Sequence, residues 1–189
     1  MMIAVLRRGS NVALTKEIPG LTGVVVGVRW KTGREEVLGE NLVVAAVLCD
    51  AGGKALSADH FVFFNQLSDP ATSVSQLEQA MGGDDEQLEM RFDGVPAQVS
   101  RLVVMLYLNE SNGLRRTLGR LREIGVRALD LRDNRELARS ENLAKGLDAE
   151  TALALCEVYR HGGGWKFKVV GEGYTTGVRG LAGDYGVPL

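Results

Sequence analysis

Short apolar runs recur along this chain, separated by Gly, Asn, Asp and Pro, and few of them exceed the length of a strand. "VALT", "GVVVGVRW", "LVVAAVLC", "HFVFFN", "QLEMRF", "RLVVMLYL", "IGVRALDL", "TALALCEVYR" and "WKFKVVG" are rich in Val, Leu and aromatic residues, which suit a pleated, half-buried surface. In "WKFKVV" the alternation sends Trp165, Phe167 and Val169 to one face and Lys166 and Lys168 to the other. Turn signals separate the runs at regular intervals: "PGLTG", "DAGGK", "SDPA", "MGGDDE", "FDGVP", "NESNG", "RDN" and "HGGG". Many short strands with evenly spaced turns predict an all-β chain folded as a two-sheet β-sandwich.

Two stretches compete for helix. "LRRTLGRLREIGVRALDLRDNRELAR", residues 114–139, has the arginines and leucines of an amphipathic helix, but Gly119 and Gly125 interrupt it. It reads instead as a loop, a strand from about Ile124 to Leu131, a turn at Asp133 and Asn134, and a second strand. "GVRGLAGDYGVPL" predicts one or two helical turns over Val178 to Asp184, ended by Gly186 and Pro188. No Pro/Ser linker or long repeat divides the chain, so residues 1–189 read as a single domain.

Composition narrows the function. With 189 residues, 45% hydrophobic and 24% charged, the chain can bury a full core. A net charge of -2 lacks the basic excess of a nucleic-acid binder. The N-terminal apolar run is short and followed by arginines, the reverse of a secretory signal, and no later stretch has membrane-spanning length. The expectation is a cytoplasmic protein with no nucleic-acid partner and no membrane insertion. Cys49 and Cys156, each inside an apolar run, read as buried, reduced thiols.

Catalytic chemistry finds no foothold. His60 and His161 are not spaced for zinc with another His, Cys or acid, and both fall at strand ends where a turn or surface role is usual. The glycines of "GEGYTTG" miss the dinucleotide spacing, and there is no P-loop and no G-x-S-x-G elbow. The expectation is no enzyme.

"MGGDDEQLEM" concentrates negative charge instead. Asp84, Asp85 and Glu86 follow Gly82 and Gly83 at the mouth of a strand, where like charges repel unless water, basic groups or a cation offset them. Such a triplet is a solvated hairpin end or a cation site. A second charged cluster, Arg115, Arg116, Arg120 and Arg122, is either a solvated loop or a local basic patch suited to an acidic protein surface.

"GSNVALTKEIPGLTGVVVGVRW", "HFVFFNQLSDP", "GGDDE", "ETALALCEVYRHGGGWKFKVVGEGY" and the closing "GVRGLAGDYGV" resemble the TerD family of tellurite-resistance and stress-response proteins. The middle block, with Glu136, Ala138 and Arg139 in an E-x-A-R pattern, follows the same family. The resemblance implies a TerD-type β-sandwich that binds calcium through acidic loops and serves a bacterial chemical-stress response with other proteins of its gene cluster. It implies metal ligands at Asp84, Asp85 and Glu86; Asn65, which ends "HFVFFN", is either a further ligand or the cap of the following turn, and Glu40 and Asn41 either supply one more oxygen or are solvated residues entering a strand. This chain departs from the pattern in three places. Lys31 follows Trp30 where the family has Asp, Leu42 and Val43 stand where a second acid is expected, and the loop ahead of "GDDE" lacks its G-D-N. Calcium takes six to eight oxygens and weakens as charged ligands go, so the expectation is at most one weak Ca2+ site. The alternative is an interaction module that kept the sandwich and lost the ion.

Overall fold

The computed structural model describes residues 3–109 and 116–189. Its strands are β1 (Ala4–Leu6), β2 (Asn11–Ala13), β3 (Gly23–Thr32), β4 (Leu42–Cys49), β5 (Phe61–Val62), β6 (Val74–Gln76), β7 (Glu86–Arg91), β8 (Arg101–Leu108), β9 (Leu121–Asp130), β10 (Glu136–Ser140), β11 (Ala152–His161) and β12 (Gly164–Tyr174). They form two six-stranded sheets, ordered β1-β10-β9-β3-β7-β6 and β2-β12-β11-β8-β4-β5. All pairings are antiparallel except β1 with β10. Two short helices, α1 (Val37–Glu40) and α2 (Gly177–Asp184), complete the described fold.

Alternation decides what the sheets enclose. Val24, Val26 and Val28 of β3, Leu88 and Met90 of β7, and Ile124, Val126 and Ala128 of β9 point inward from the first sheet. Val44, Ala46 and Leu48 of β4 face them from the second, with Leu102, Val104 and Leu106 of β8 and Trp165, Phe167 and Val169 of β12. The period-two pattern of "WKFKVV" is realised, with Phe167 fully buried.

The second sheet is apolar on both faces, which is why "LVVAAVLC" and "RLVVMLYL" run almost without polar breaks. Ala45, Val47, Cys49, Phe61, Val103, Met105 and Tyr107 form a separate cluster on its outer face, covered by Leu181 and Ala182 of α2 and by Val187. Helix α2 falls where the sequence places it, and Gly186 (φ 72°) ends it while Val187 N–H donates back to Ala182 O at 2.8 Å. Cys156 belongs to the inter-sheet core and Cys49 to this outer cluster. Burial pushes the Cys49 thiol up to about 12 and also raises Cys156 well above the ordinary thiol range, as expected of inert structural thiols.

Residues 114–139 follow the strand, turn, strand reading from Leu121 onward, with Asn134 (φ 60°) at the turn. Three local details differ from expectation. "HFVFFN" supplies only a two-residue strand before a tight turn in which Phe63 and Gln66 pair. "VLGE" coils into α1 ahead of β4. Strand β3 does not close at Trp30 but continues to Thr32, because β9 goes on pairing it where β7 has ended. Between β11 and β12, Gly162 (φ 56°) and Gly163 (φ 80°) supply the two positive dihedrals that a tight hairpin turn of this twist requires.

Candidate functional site

The acidic triplet lies at the mouth of β7, on the first sheet, and its three carboxylates go three different ways. A row of paired residues crosses the outer face of that sheet: Arg139 of β10 opposite Arg127 of β9, Arg127 opposite Gly27 of β3, and Gly27 opposite Gln87 of β7. Asp84 lies over the gap this row leaves at Gly27. A Cβ on Gly27 would come within 2.6 Å of Asp84 Cγ and closer still to Oδ2, so the carboxylate occupies the space a side chain would fill.

Its neighbours in the row then hold it. Arg127 Nε donates to both oxygens, at 2.9 and 3.0 Å, and Gln87 Nε2 donates to Oδ2 at 2.7 Å. Arg29 Nη2 lies 3.3 Å from Oδ1. The Asp84 side chain is 0% exposed, and a buried carboxylate of this kind is tolerated only when paired and hydrogen-bonded. Arg127 reaches further, donating to Gly82 O at 3.0 Å and to Glu136 Oε1 at 3.1 Å. Arg139 closes the chain on Glu136. Burial works against the Glu136 anion, but hydrogen bonds from Arg139 and Arg127 outweigh it and hold the carboxyl below the ordinary range.

Asp85 is committed to the backbone. Its N–H donates to Val28 O at 2.8 Å, and its Oδ2 accepts the Trp30 N–H at 2.8 Å, standing in for the next rung that β7 does not reach. Burial raises its carboxyl pKa, and the hydrogen bond from the Trp30 amide opposes that rise. Asp85 also lines an open cleft of about 700 Å3 with Trp30, Lys31, Glu36, Arg122 and Glu123. Glu86 is half-buried, and that burial raises its pKa while Gln76 Nε2, 3.4 Å from Oε2, opposes it.

A scan of the whole sequence matches the TerD domain over residues 2–185. The chain belongs to the TerD family. General stress protein 16U of Bacillus subtilis is 35% identical over 189 residues, covering 97% of each chain. The tellurium resistance protein TerD of Serratia marcescens is 31% identical over 186 residues, covering 96% of each. The fold matches the solved structure of a homologue of the telluride resistance protein TerD from Streptomyces coelicolor A3(2) at a TM-score of 0.68, with 19% identity, over 89% of this chain and all of that one.

In this TerD-family chain the expected ligands come from several segments: Asp84, Asp85 and Glu86 share the mouth of β7, and α1, which ends at Glu40, borders the cleft of Asp85 through Gly39. Glu40 is the last residue of α1 and Asn41 its C-cap, the Asn41 side-chain Nδ2 donating to Val37 O at 3.4 Å and its backbone carbonyl accepting the Asn109 N–H. Asn65 is exposed in the turn that follows β5. No hydrogen bond among the described residues ties these three to the acidic triplet. No group of three or more His, Cys, Asp and Glu side chains among the described residues is placed to share a metal. Both Asp84 oxygens already accept from Arg127, and one Asp85 oxygen accepts a backbone N–H, so these two carboxylates keep little capacity for a calcium shell of six to eight oxygens.

The arginine cluster resolves similarly. Arg120 and Arg116 both turn to Glu35, and Arg122 lines the Asp85 cleft. Arg115 and most of the "NESNG" loop fall outside the described residues. Asp50 is the turn former its setting suggests, accepting the N–H groups of Gly52 and Lys54. One pair invites a catalytic reading, because Ser57 Oγ lies 2.7 Å from His60 Nδ1. Ser57 is the cap of a short 3-10 turn, however, and its oxygen already accepts the Asp59 N–H. Among the described residues no carboxylate orients the His60 ring.

Sequence reading did not find Arg127, Gln87 or Gly27. The one available signal was a glycine inside the valine run "VVVGV", which in a strand marks a close approach.

Proposed function

We propose that this chain is a non-catalytic accessory protein of a bacterial chemical-stress response of the tellurite-resistance type. It acts in the cytoplasm through contacts with other proteins of its gene cluster. Relatives named for general stress and tellurium resistance support the setting. No helix among the described residues is long and apolar enough to cross a membrane. The observation that carries the contact-based reading is the inward commitment of the acidic strand mouth. With Asp84 held by two arginines and a glutamine, the loop keeps little capacity for an ion and presents a structured, charged sheet face. Such faces select partners by complementary charge. A strain deleted for this gene should lose tellurite tolerance and regain it with the parent gene. A deletion strain as tolerant as its parent to tellurite and to other damaging chemicals overturns the reading.

A weak calcium-binding accessory role is the second reading, and one observation favours it. Gln76 Oε1 is buried without a partner among the described residues, beside the Glu86 carboxylate. These acceptors, with the free oxygen of Asp85, would suit a site of roughly 10⁻⁴ to 10⁻³ M affinity. Calcium titration followed by tryptophan fluorescence separates the two, since Trp30 adjoins Asp85. A saturable response supports the second reading and a flat one the first.

A further inference from the structure

We infer that the guanidinium of Arg127 is the built-in counter-charge of the acidic strand mouth, so that residues 81–86 are fastened to the sheet by this chain's own arginine and Asp84 is no metal ligand. A divalent cation would gather carboxylate oxygens and loop carbonyls around itself. Arg127 has already gathered them. Its Nε meets both oxygens of Asp84 at 2.9 and 3.0 Å, its Nη2 meets Gly82 O at 3.0 Å, and its Nη1 meets Glu136 at 3.1 Å. The planar guanidinium has five donors in a fixed fork, which suits three acceptor groups on two segments, the 81–86 loop and β10.

Gly27 makes the arrangement possible by letting the carboxylate settle against the backbone of the sheet. Arg29 and Gln87 add further donors to the same carboxylate. An ion arriving at Asp84 would have to displace Arg127 and then sit beside two guanidiniums, with like charges a few ångströms apart in a part-buried setting. The inference concerns the purified protein alone, so it stands whether or not the chain serves a stress response.

The test compares thermal unfolding of the full chain in EDTA and in about 10 mM calcium, where a site of about 1 mM affinity would raise the midpoint by roughly 3 to 5 °C. The parent is expected to melt at the same temperature in both media, or to show a calcium shift that Asp84→Asn retains. A parent shift of that size that vanishes in Asp84→Asn overturns the inference. Should Asp84→Asn fail to fold, the double variant Asp85→Asn with Glu86→Gln decides. A calcium shift that survives there leaves Asp84 as the ligand and overturns the inference, and one that vanishes there, or is absent from the parent, supports it. Arg127→Met is expected to melt roughly 6 °C or more below the parent in both media, or not to fold. An Arg127→Met protein as stable as the parent removes the fastening role.

Discussion

Replacing Gly27 with Ala tests the clamp without touching a charged group. The new methyl would lie 2.6 Å from Asp84 Cγ, well inside contact distance, and the three atoms nearest to it all belong to the Asp84 carboxyl group, while the Gly27 backbone is fixed by ladder pairing on both sides. Asp84 has to move, and its side chain is short, fully buried and held from three sides. Breaking a buried ion pair costs about 3 to 5 kcal/mol, while exchanging Gly for Ala inside a strand returns about 0.5 to 1 kcal/mol. The net expectation is a loss of about 2 to 4 kcal/mol. At about 2 to 4 °C per kcal/mol for a chain of this size, the melting point falls by at least about 4 °C. Urea unfolding followed by circular dichroism measures the loss as a shifted midpoint at constant slope. The cause is isolated by repeating the substitution in an Asp84→Ala background, where the clash is gone and the Gly27→Ala cost should shrink by at least about 1 kcal/mol. A Gly27→Ala protein within about 0.5 kcal/mol of the parent, or an equal cost in both backgrounds, refutes the reasoning.

Three further outcomes are expected. Phe167→Ala, at a fully buried position, should cost about 3 to 5 kcal/mol by urea titration, and a variant as stable as the parent would show that this face is not the core. Hydrogen bonds from Arg132 hold the buried Asp130 carboxyl below its ordinary value, so its contribution is complete above about pH 4 and is lost as the pH falls through the lowered folded value. Asp130→Asn should therefore flatten the acid limb of the stability curve, and an unchanged limb would refute that assignment. Purified protein should show no turnover on generic esters, phosphates or nucleotides, and hydrolysis abolished by Ser57→Ala or His60→Ala would overturn the non-catalytic reading.

What the sequence disclosed follows from how local each signal is. Trp165 to Val169 alternate cleanly because only one face of β12 is buried there, so inward and outward could be read directly. "LVVAAVLC" announced a strand but not its second covering layer, since a run buried on both faces has no period to read. The acidic triplet was visible as charge, yet its neighbours looked equivalent in sequence. They are not equivalent in space, because the ladder begins only at Glu86 and the group that fixes Asp84 lies 43 residues away on another strand. Contacts set by strand register across a sheet leave no mark in local spacing. That Lys31, Leu42 and Val43 carry no carboxylate could be read from the sequence, but not that Arg127 occupies the oxygens of Asp84.

The outer cluster of the second sheet carries a consequence for biosynthesis. Its apolar surface is built by β4, β5 and β8, yet its cover, α2 and Val187, follows the last strand in the chain. A nascent chain that has already paired those strands still shows Val47, Phe61, Val103 and Met105 to the cellular milieu until that closing segment leaves the ribosome and docks. Chains emerge at about 5 to 20 residues per second, and exposed apolar surface during that interval favours association between copies. A chain that loses α2 and Val187 would therefore leave this apolar face of the second sheet uncovered.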